Sequence, residues 1–149
     1  MATHTDCPIT RDNPPDPDLE RVLRQAKTIA VVGLSSNPDR PSHGVARYLQ
    51  EAGYRIIPVN PGQTGILGEK CYASLDDIPE RVDMANLFLK PEHIPPVVDA
   101  AIRKGVNCVW MQLGIVHAGA AAQARAAGIT VVMNRCTKIE HGRLIVGRP

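Results

Sequence analysis

Aromatic side chains are scarce in this 149-residue chain: three tyrosines, Phe88 and Trp110 make up 3% of it. A platform that stacks the bases of single-stranded nucleic acid needs more rings than that. Charge of one sign is lacking too. Seventeen Lys and Arg against fifteen Asp and Glu leave a formal +2, too little to attract nucleic acid or an anionic membrane by charge alone. No apolar run approaches the roughly eighteen residues of a membrane span, and Met1 to Thr10 lacks the basic and apolar regions of a secretory signal. The four cysteines (Cys7, Cys71, Cys108, Cys136) form no C-x-x-C pair, so ordinary zinc-ligand spacing is missing. Free thiols in a cytoplasmic protein are the expected state. A bound anion must therefore be held by a local site.

With 44% apolar and 21% charged residues, the chain has the make-up and length of one ordinary domain that needs no disulfide framework. Residues 1–17 carry Pro8, Pro14, Pro15 and Pro17 among three aspartates and read as an extended arm, leaving residues 18–149 as the domain. Asp18 is placed to cap a short helix with Leu19, Val22, Leu23 and Ala26 on one face. From Thr28 onward, nearly unbroken apolar runs alternate with helical stripes. Strands are expected over Thr28–Gly33, Tyr54–Val59, Asp83–Phe88, Asn107–Met111 and Ile129–Met133. Helices are expected over Ser42–Ala52, Ile94–Lys104 and His117–Ala127, with one helical turn in Leu75–Pro79. Residues 60–74 read as a glycine-bearing connection, and the pattern of Lys138–Pro149 defines no element. Gly53, Gly105 and Gly128 each stand where a helix stops and a strand follows, as left-handed caps do. The alternation predicts a doubly wound, Rossmann-like α/β domain: a parallel five-stranded sheet with helices on both faces.

Ligands of such folds bind beyond the carboxyl ends of the strands, where strand order reverses. The segment Gly33 to Gly44 after the first strand offers three serine hydroxyls (Ser35, Ser36, Ser42) and the Arg40 guanidinium at a helix N-terminus, a setting that suits phosphate. Turns rich in Ser, Asn, Asp and Pro are also ordinary loop chemistry, with Ser42 as a plain N-cap. Two motifs are missing. The loop is not G-x-G-x-x-G, and the second strand ends in Val59-Asn60-Pro61 instead of an acidic residue for a ribose hydroxyl, which weakens an NAD reading. No G-x-x-x-x-G-K-[ST] is present, which excludes a P-loop nucleotide hydrolase.

Val31-Val32-Gly33-Leu34-Ser35, Pro38-Asp39-Arg40-Pro41-Ser42, Pro58-Val59-Asn60-Pro61 and Trp110-Met111-Gln112-Leu113-Gly114 together resemble the small CoA-binding proteins. These are stand-alone versions of the N-terminal CoA-binding domain of the succinyl-CoA synthetase α subunit. The resemblance runs from about Leu19 to Leu144. It implies a Rossmann-like domain that binds coenzyme A or an acyl-CoA. By that likeness Gly33, Ser35, Ser36, Arg40 and Ser42 hold the diphosphate, Val59, Asn60 and Pro61 border the adenosine, and Phe88 lines the slot. The sequence departs from the family at two places. Leu89 follows Phe88 where the family often has arginine, which shifts the charge to Lys90 or loses it, and Asn134 stands where the family tends to have aspartate.

Catalysis would need a nucleophile or an acid–base group with a partner. His43, His93, His117 and Cys136 fall at the carboxyl edge. His117 starts a helix and is expected to cap or solvate it. Cys136, near Arg135 and Lys138, is either an activated thiol or a small apolar residue closing the sheet. Cys108, Trp110 and Met111 read as core, with Gln112 at the ligand edge. In the synthetase that the chain resembles, the phosphorylated histidine lies in a second domain, for which this chain has no length. A non-catalytic CoA-binding module or sensor is the favoured expectation. The alternatives are an acyl-CoA enzyme such as a thioesterase using Cys136 or His117, and an NAD-type oxidoreductase. A protein partner and the oligomeric state stay open.

Overall fold

The computed structural model describes residues 13–147. Most of the proline-rich arm expected over residues 1–17 therefore lies outside the described residues, as does Cys7. Helix α1 (Asp16–Gln25) takes over the end of that arm. Asp18 does not cap it. Pro15 occupies the cap position, and Asp18 sits in the first turn, where it meets Arg21 at 2.8 Å and the positive end of the helix dipole.

After α1 come β1 (Thr28–Val32), α2 (Pro41–Glu51) and β2 (Arg55–Val59). The connection after β2 holds a small antiparallel hairpin, β3 (Gly65–Ile66) with β4 (Glu69–Lys70), that the sequence pattern does not announce. Then follow β5 (Met84–Leu87), α3 (Ile94–Lys104), β6 (Cys108–Met111), α4 (Ala118–Ala126), β7 (Thr130–Val132) and α5 (Thr137–His141). The five longer strands form one parallel sheet in the order β2-β1-β5-β6-β7. Pro58 is tolerated because β2 is an edge strand.

Side-chain alternation along each strand divides the core in two. On one face Ala30, Val32, Ile57 and Leu87 pack with Ile94 and Val98 of α3 and the alanines of α4. On the other Ile29, Val31, Met84 and Trp110 pack with Leu19 and Leu23 of α1 and with Val45 and Leu49 of α2. The chain thus leaves β1 toward one face and β5 toward the other. The crevice between these neighbouring strands is the point at which ligands of doubly wound sheets settle.

That crevice depends on Gly33. Its amide donates to Val59 O at 2.9 Å, while the Phe88 amide donates to Val32 O at 2.9 Å. Gly33 has φ +85°, and a Cβ there would stand 2.2 Å from Phe88 O. Only glycine lets the two loops approach this closely.

The C-terminal residues, which show no sequence pattern, fold as α5 followed by a π-helical turn at Gly142–Val146. Leu144 is fully buried against the α1–α2 face. His141 is wedged edge-on against the rings of Tyr48 and Tyr54, and its Nδ1 meets Tyr48 Oη at 2.9 Å. Arg143 holds Asp16 at 2.7 Å and Glu140 at 2.6 Å. The Tyr48–His141 and Asp16–Arg143 contacts join residues 93 and 127 positions apart, which is why local periodicity does not reveal them.

Gly33→Ala is expected to lower stability by about 2 kcal/mol or more, since a backbone clash adds to the roughly 1–2 kcal/mol cost of a positive φ. At this chain length that is a fall of about 4–8 °C in Tm, read by calorimetry. Burial, with the positive charge of Arg24 adding to it, lowers the pKa of His141 below its ordinary 6.5. Below pH 6.5 the unfolded state therefore binds the proton more readily, and stability falls as the pH drops toward the folded-state pKa. Between pH 7.5 and 5.5 the wild type should lose more Tm than His141→Gln does; parallel losses would remove His141 from the acid response.

Candidate ligand site at the strand switch point

The loop after β1 is tied together before any ligand arrives. Ser42 Oγ accepts from the Ser35 amide at 3.0 Å, Ser35 Oγ from the Asn37 amide at 3.0 Å, and Asn37 Oδ1 from the Asp39 amide at 2.9 Å. Ser42 is therefore not the cap of α2. Arg40 occupies the cap position and Pro41 the first helical one, because proline fits where no intrahelical N–H is required. The buried Ser42 faces back into the loop. Both bonded serine oxygens act as acceptors here, so their hydroxyl hydrogens stay available to an anion.

Two cavities flank this loop, of about 680 Å³ and about 530 Å³. Gly33 and Leu89 line both and form the ridge between them. The larger lies on the α2 side and gathers Ser35, Arg40, Ser42, Phe88 and Lys90. The smaller lies on the α3 side and gathers Val59, Asn60 and Pro61 with His93 and Arg103. Ser36 is exposed and lines neither. Phe88 is thus parted from the Val59–Pro61 segment with which it was expected to form one slot. The alternation of the chain is the reason: Phe88 packs on the α2 face and Leu89 on the α3 face. Lys90, next in line, returns to the larger cavity.

The electrostatics of the larger cavity are one-sided. Its charged lining residues are Arg40 and Lys90, with no carboxylate. Neither cation has an ion-pair partner among the described residues. In the smaller cavity Arg103 is already held by Asp76 at 2.8 Å.

Other polar groups at this edge serve the fold. Asn60 donates from Nδ2 to Leu34 O at 2.9 Å and accepts at Oδ1 from the Gly62 amide at 2.9 Å, joining the loops after β1 and β2. Asn134 has φ 58°, which asparagine tolerates. Its Oδ1 accepts from the Gly114 amide at 2.8 Å and ties the loop after β6 to the one after β7. His117 Nδ1 accepts from the Ala120 amide at 3.0 Å and caps α4, as expected. Trp110 is fully buried, with its indole N–H donating to Arg135 O at 2.9 Å.

Cys136 is buried and lines the larger cavity, but no histidine lines that cavity with it. Cys108 lies in the core, where burial pushes its thiol up to about 12; Cys71 is likewise raised by burial. Val97 and Arg103 are among the further lining residues of the smaller cavity, and no motif marks either in the sequence. Among the described residues no helix is long and apolar enough to cross a membrane.

The model of a family described as CoA binding domain matches residues 27–142. The uncharacterized protein YneT of Bacillus subtilis is 40% identical over 129 residues, which are 87% of this chain and 96% of YneT. A hypothetical protein from Pyrococcus horikoshii has a solved structure that superposes with a TM-score of 0.87 at 41% identity, covering 90% of this chain and 94% of that one. The ADP-forming acetate–CoA ligase II of Archaeoglobus fulgidus is 38% identical over 93 residues, 61% of this chain but 14% of the ligase. The shared part is thus a small portion of a much longer enzyme. With the fold, the strand order and the matched span in agreement, the chain belongs to the CoA-binding domain family.

Proposed function

We propose that this protein binds coenzyme A, or an acyl-CoA, across the two cavities at the switch point and acts as a non-catalytic binding module or sensor. The observation that carries the reading is the pair of unpartnered cations, Arg40 and Lys90, in a cavity free of carboxylates beside a prearranged serine loop. In this arrangement the diphosphate lies against the loop and the Gly33 ridge. The serine hydroxyls and the first turn of α2 point partial positive charge at it, and Arg40 supplies the fork that fits two phosphate oxygens. The adenosine rests in the smaller cavity against Val59 and Pro61. The lysine two residues beyond Phe88 takes the place of the arginine that the family often has one position earlier, since Leu89 turns to the other face.

The competing chemistries have less support. A thiol nucleophile needs a base within reach; neither cavity that Cys136 lines holds a histidine, and the ring nitrogen of His117 that caps α4 is committed to Ala120. An NAD-type site needs an acceptor pair for the ribose at the end of the second strand, where the Asn60 amide is occupied at both ends.

Calorimetric titration tests the binding. Loss of a charged hydrogen bond costs about 1.5–3 kcal/mol, so Arg40→Ala should weaken CoA about ten- to hundredfold. Arg40→Lys should recover part of that, because an ammonium cannot form the fork. NAD should bind far more weakly than CoA to the wild type. An Arg40→Ala Kd equal to that of the wild type would remove Arg40 from the site. Incubation with acetyl-CoA should release free thiol no faster than buffer does; steady release that disappears in Cys136→Ser would establish the enzyme reading instead.

A further inference from the structure

Gln112 follows β6 at the floor of the larger cavity and is 3% exposed. Both hydrogens of its Nε2 are committed, to Asn86 Oδ1 at 2.5 Å and to Thr137 Oγ1 at 2.9 Å. Asn86 and Thr137 are fully buried and joined by a bond from Asn86 Nδ2 to Thr137 Oγ1 at 3.1 Å. Turning the Gln112 amide over would set its oxygen against the Asn86 oxygen, so the network fixes its orientation.

Gln112 Oε1 accepts no hydrogen bond from any described residue, and it is not among the side-chain atoms sealed in the interior without a partner. Its lone pairs therefore open into the cavity that the residue lines. Polar groups this deep in folded proteins nearly always find a partner, and the cavity is where a donor for Oε1 can stand. The surroundings restrict that donor. Arg40 and Lys90 disfavour a cation, and the carbonyl oxygen itself disfavours an anion. Val45, Leu113 and Ile115 present apolar walls, along which a neutral, largely aliphatic arm can lie.

We propose that Gln112 is a specificity-determining residue that accepts an amide N–H from such an arm. The proposal rests on the coenzyme A reading of the site, in which the arm is pantetheine with its two amides. The charged loop then fixes one end of the ligand and the Gln112 carbonyl reads the other. A ligand that ends at its phosphates never meets this residue.

Titrations of the full chain separate these contributions, using CoA, adenosine 3′,5′-bisphosphate and two CoA analogues in which one or the other pantetheine amide is replaced by an ester. One ester analogue should bind the wild type about tenfold more weakly than CoA, a difference of about 1.4 kcal/mol, because an ester oxygen would face Oε1 lone pair to lone pair. In Gln112→Met, which keeps the length of the side chain, CoA and that analogue should bind equally. The bisphosphate should bind both proteins alike. Full wild-type affinity for both analogues overturns the proposal, as does a loss that persists unchanged in Gln112→Met. Should Gln112→Met fail to fold, the analogue comparison on the wild type decides alone. A wild type that binds neither CoA nor the bisphosphate overturns the coenzyme A reading itself, and this proposal with it.

Discussion

The carbonyl oxygen of Phe88 stands where a β-carbon of residue 33 would be, 2.2 Å from that position. The architecture of the site follows from this close approach. It lets the ends of β1 and β5 stay paired as far as Val32 and Phe88, although the chain departs from them toward opposite faces of the sheet. A side chain at position 33 would push the two loops apart and widen the ridge between the cavities. With glycine, backbone groups of both loops border one narrow strip between the cavities, beside Leu89.

Rigidity in the loop after β1 has a different origin. The relay from Ser42 to the Ser35 amide, from Ser35 to the Asn37 amide and from Asn37 to the Asp39 amide consists of local side-chain to backbone bonds that compete well with solvent. A loop already held in shape loses little entropy when it closes on an anion, so more of the contact energy appears as affinity. The arrangement uses the serine oxygens as acceptors and leaves the hydroxyl hydrogens for the ligand. The Arg40 side chain is exposed and has no ion-pair or hydrogen-bond partner among the described residues.

Much of this was legible in the sequence, for identifiable reasons. Strands buried on both faces are nearly all apolar, and Ile29 to Val32, Cys108 to Met111 and, but for Asn86, Met84 to Leu87 are fully buried stretches that read that way. The candidate loop was visible because Gly33, Ser35, Arg40 and Ser42 follow the first strand closely. The caps were misplaced: Asp18 and Ser42 are common cap residues, but Pro15 and the Arg40–Pro41 pair set the helix starts one turn or less away. The separation of Phe88 from Val59 was implicit in strand alternation, yet it depends on strand order, which one-dimensional periodicity does not carry. The C-terminal docking was hidden because it rests on pairs such as Tyr48 with His141 and Asp16 with Arg143, whose partners are far apart in the chain.

The polar groups at the carboxyl edge divide according to whether the fold has already used them. Asn60 and Asn134 tie neighbouring loops, His117 caps α4, and Asn86 and Thr137 hold one another and Gln112. Without a partner among the described residues are the cations Arg40 and Lys90 and the Gln112 carbonyl oxygen, which line one cavity with the serine hydroxyls, and the buried Nδ1 of His43. The site residues offer three chemistries in one cavity: donors and positive charge, then apolar walls, then an acceptor. A compact anion would use only the first part, and an apolar molecule only the middle. The ligand that satisfies all three is elongated, anionic at one end, aliphatic along its length and equipped with a neutral N–H donor further along. Pantetheine joined to a nucleoside diphosphate, the ligand proposed above, carries these three chemistries.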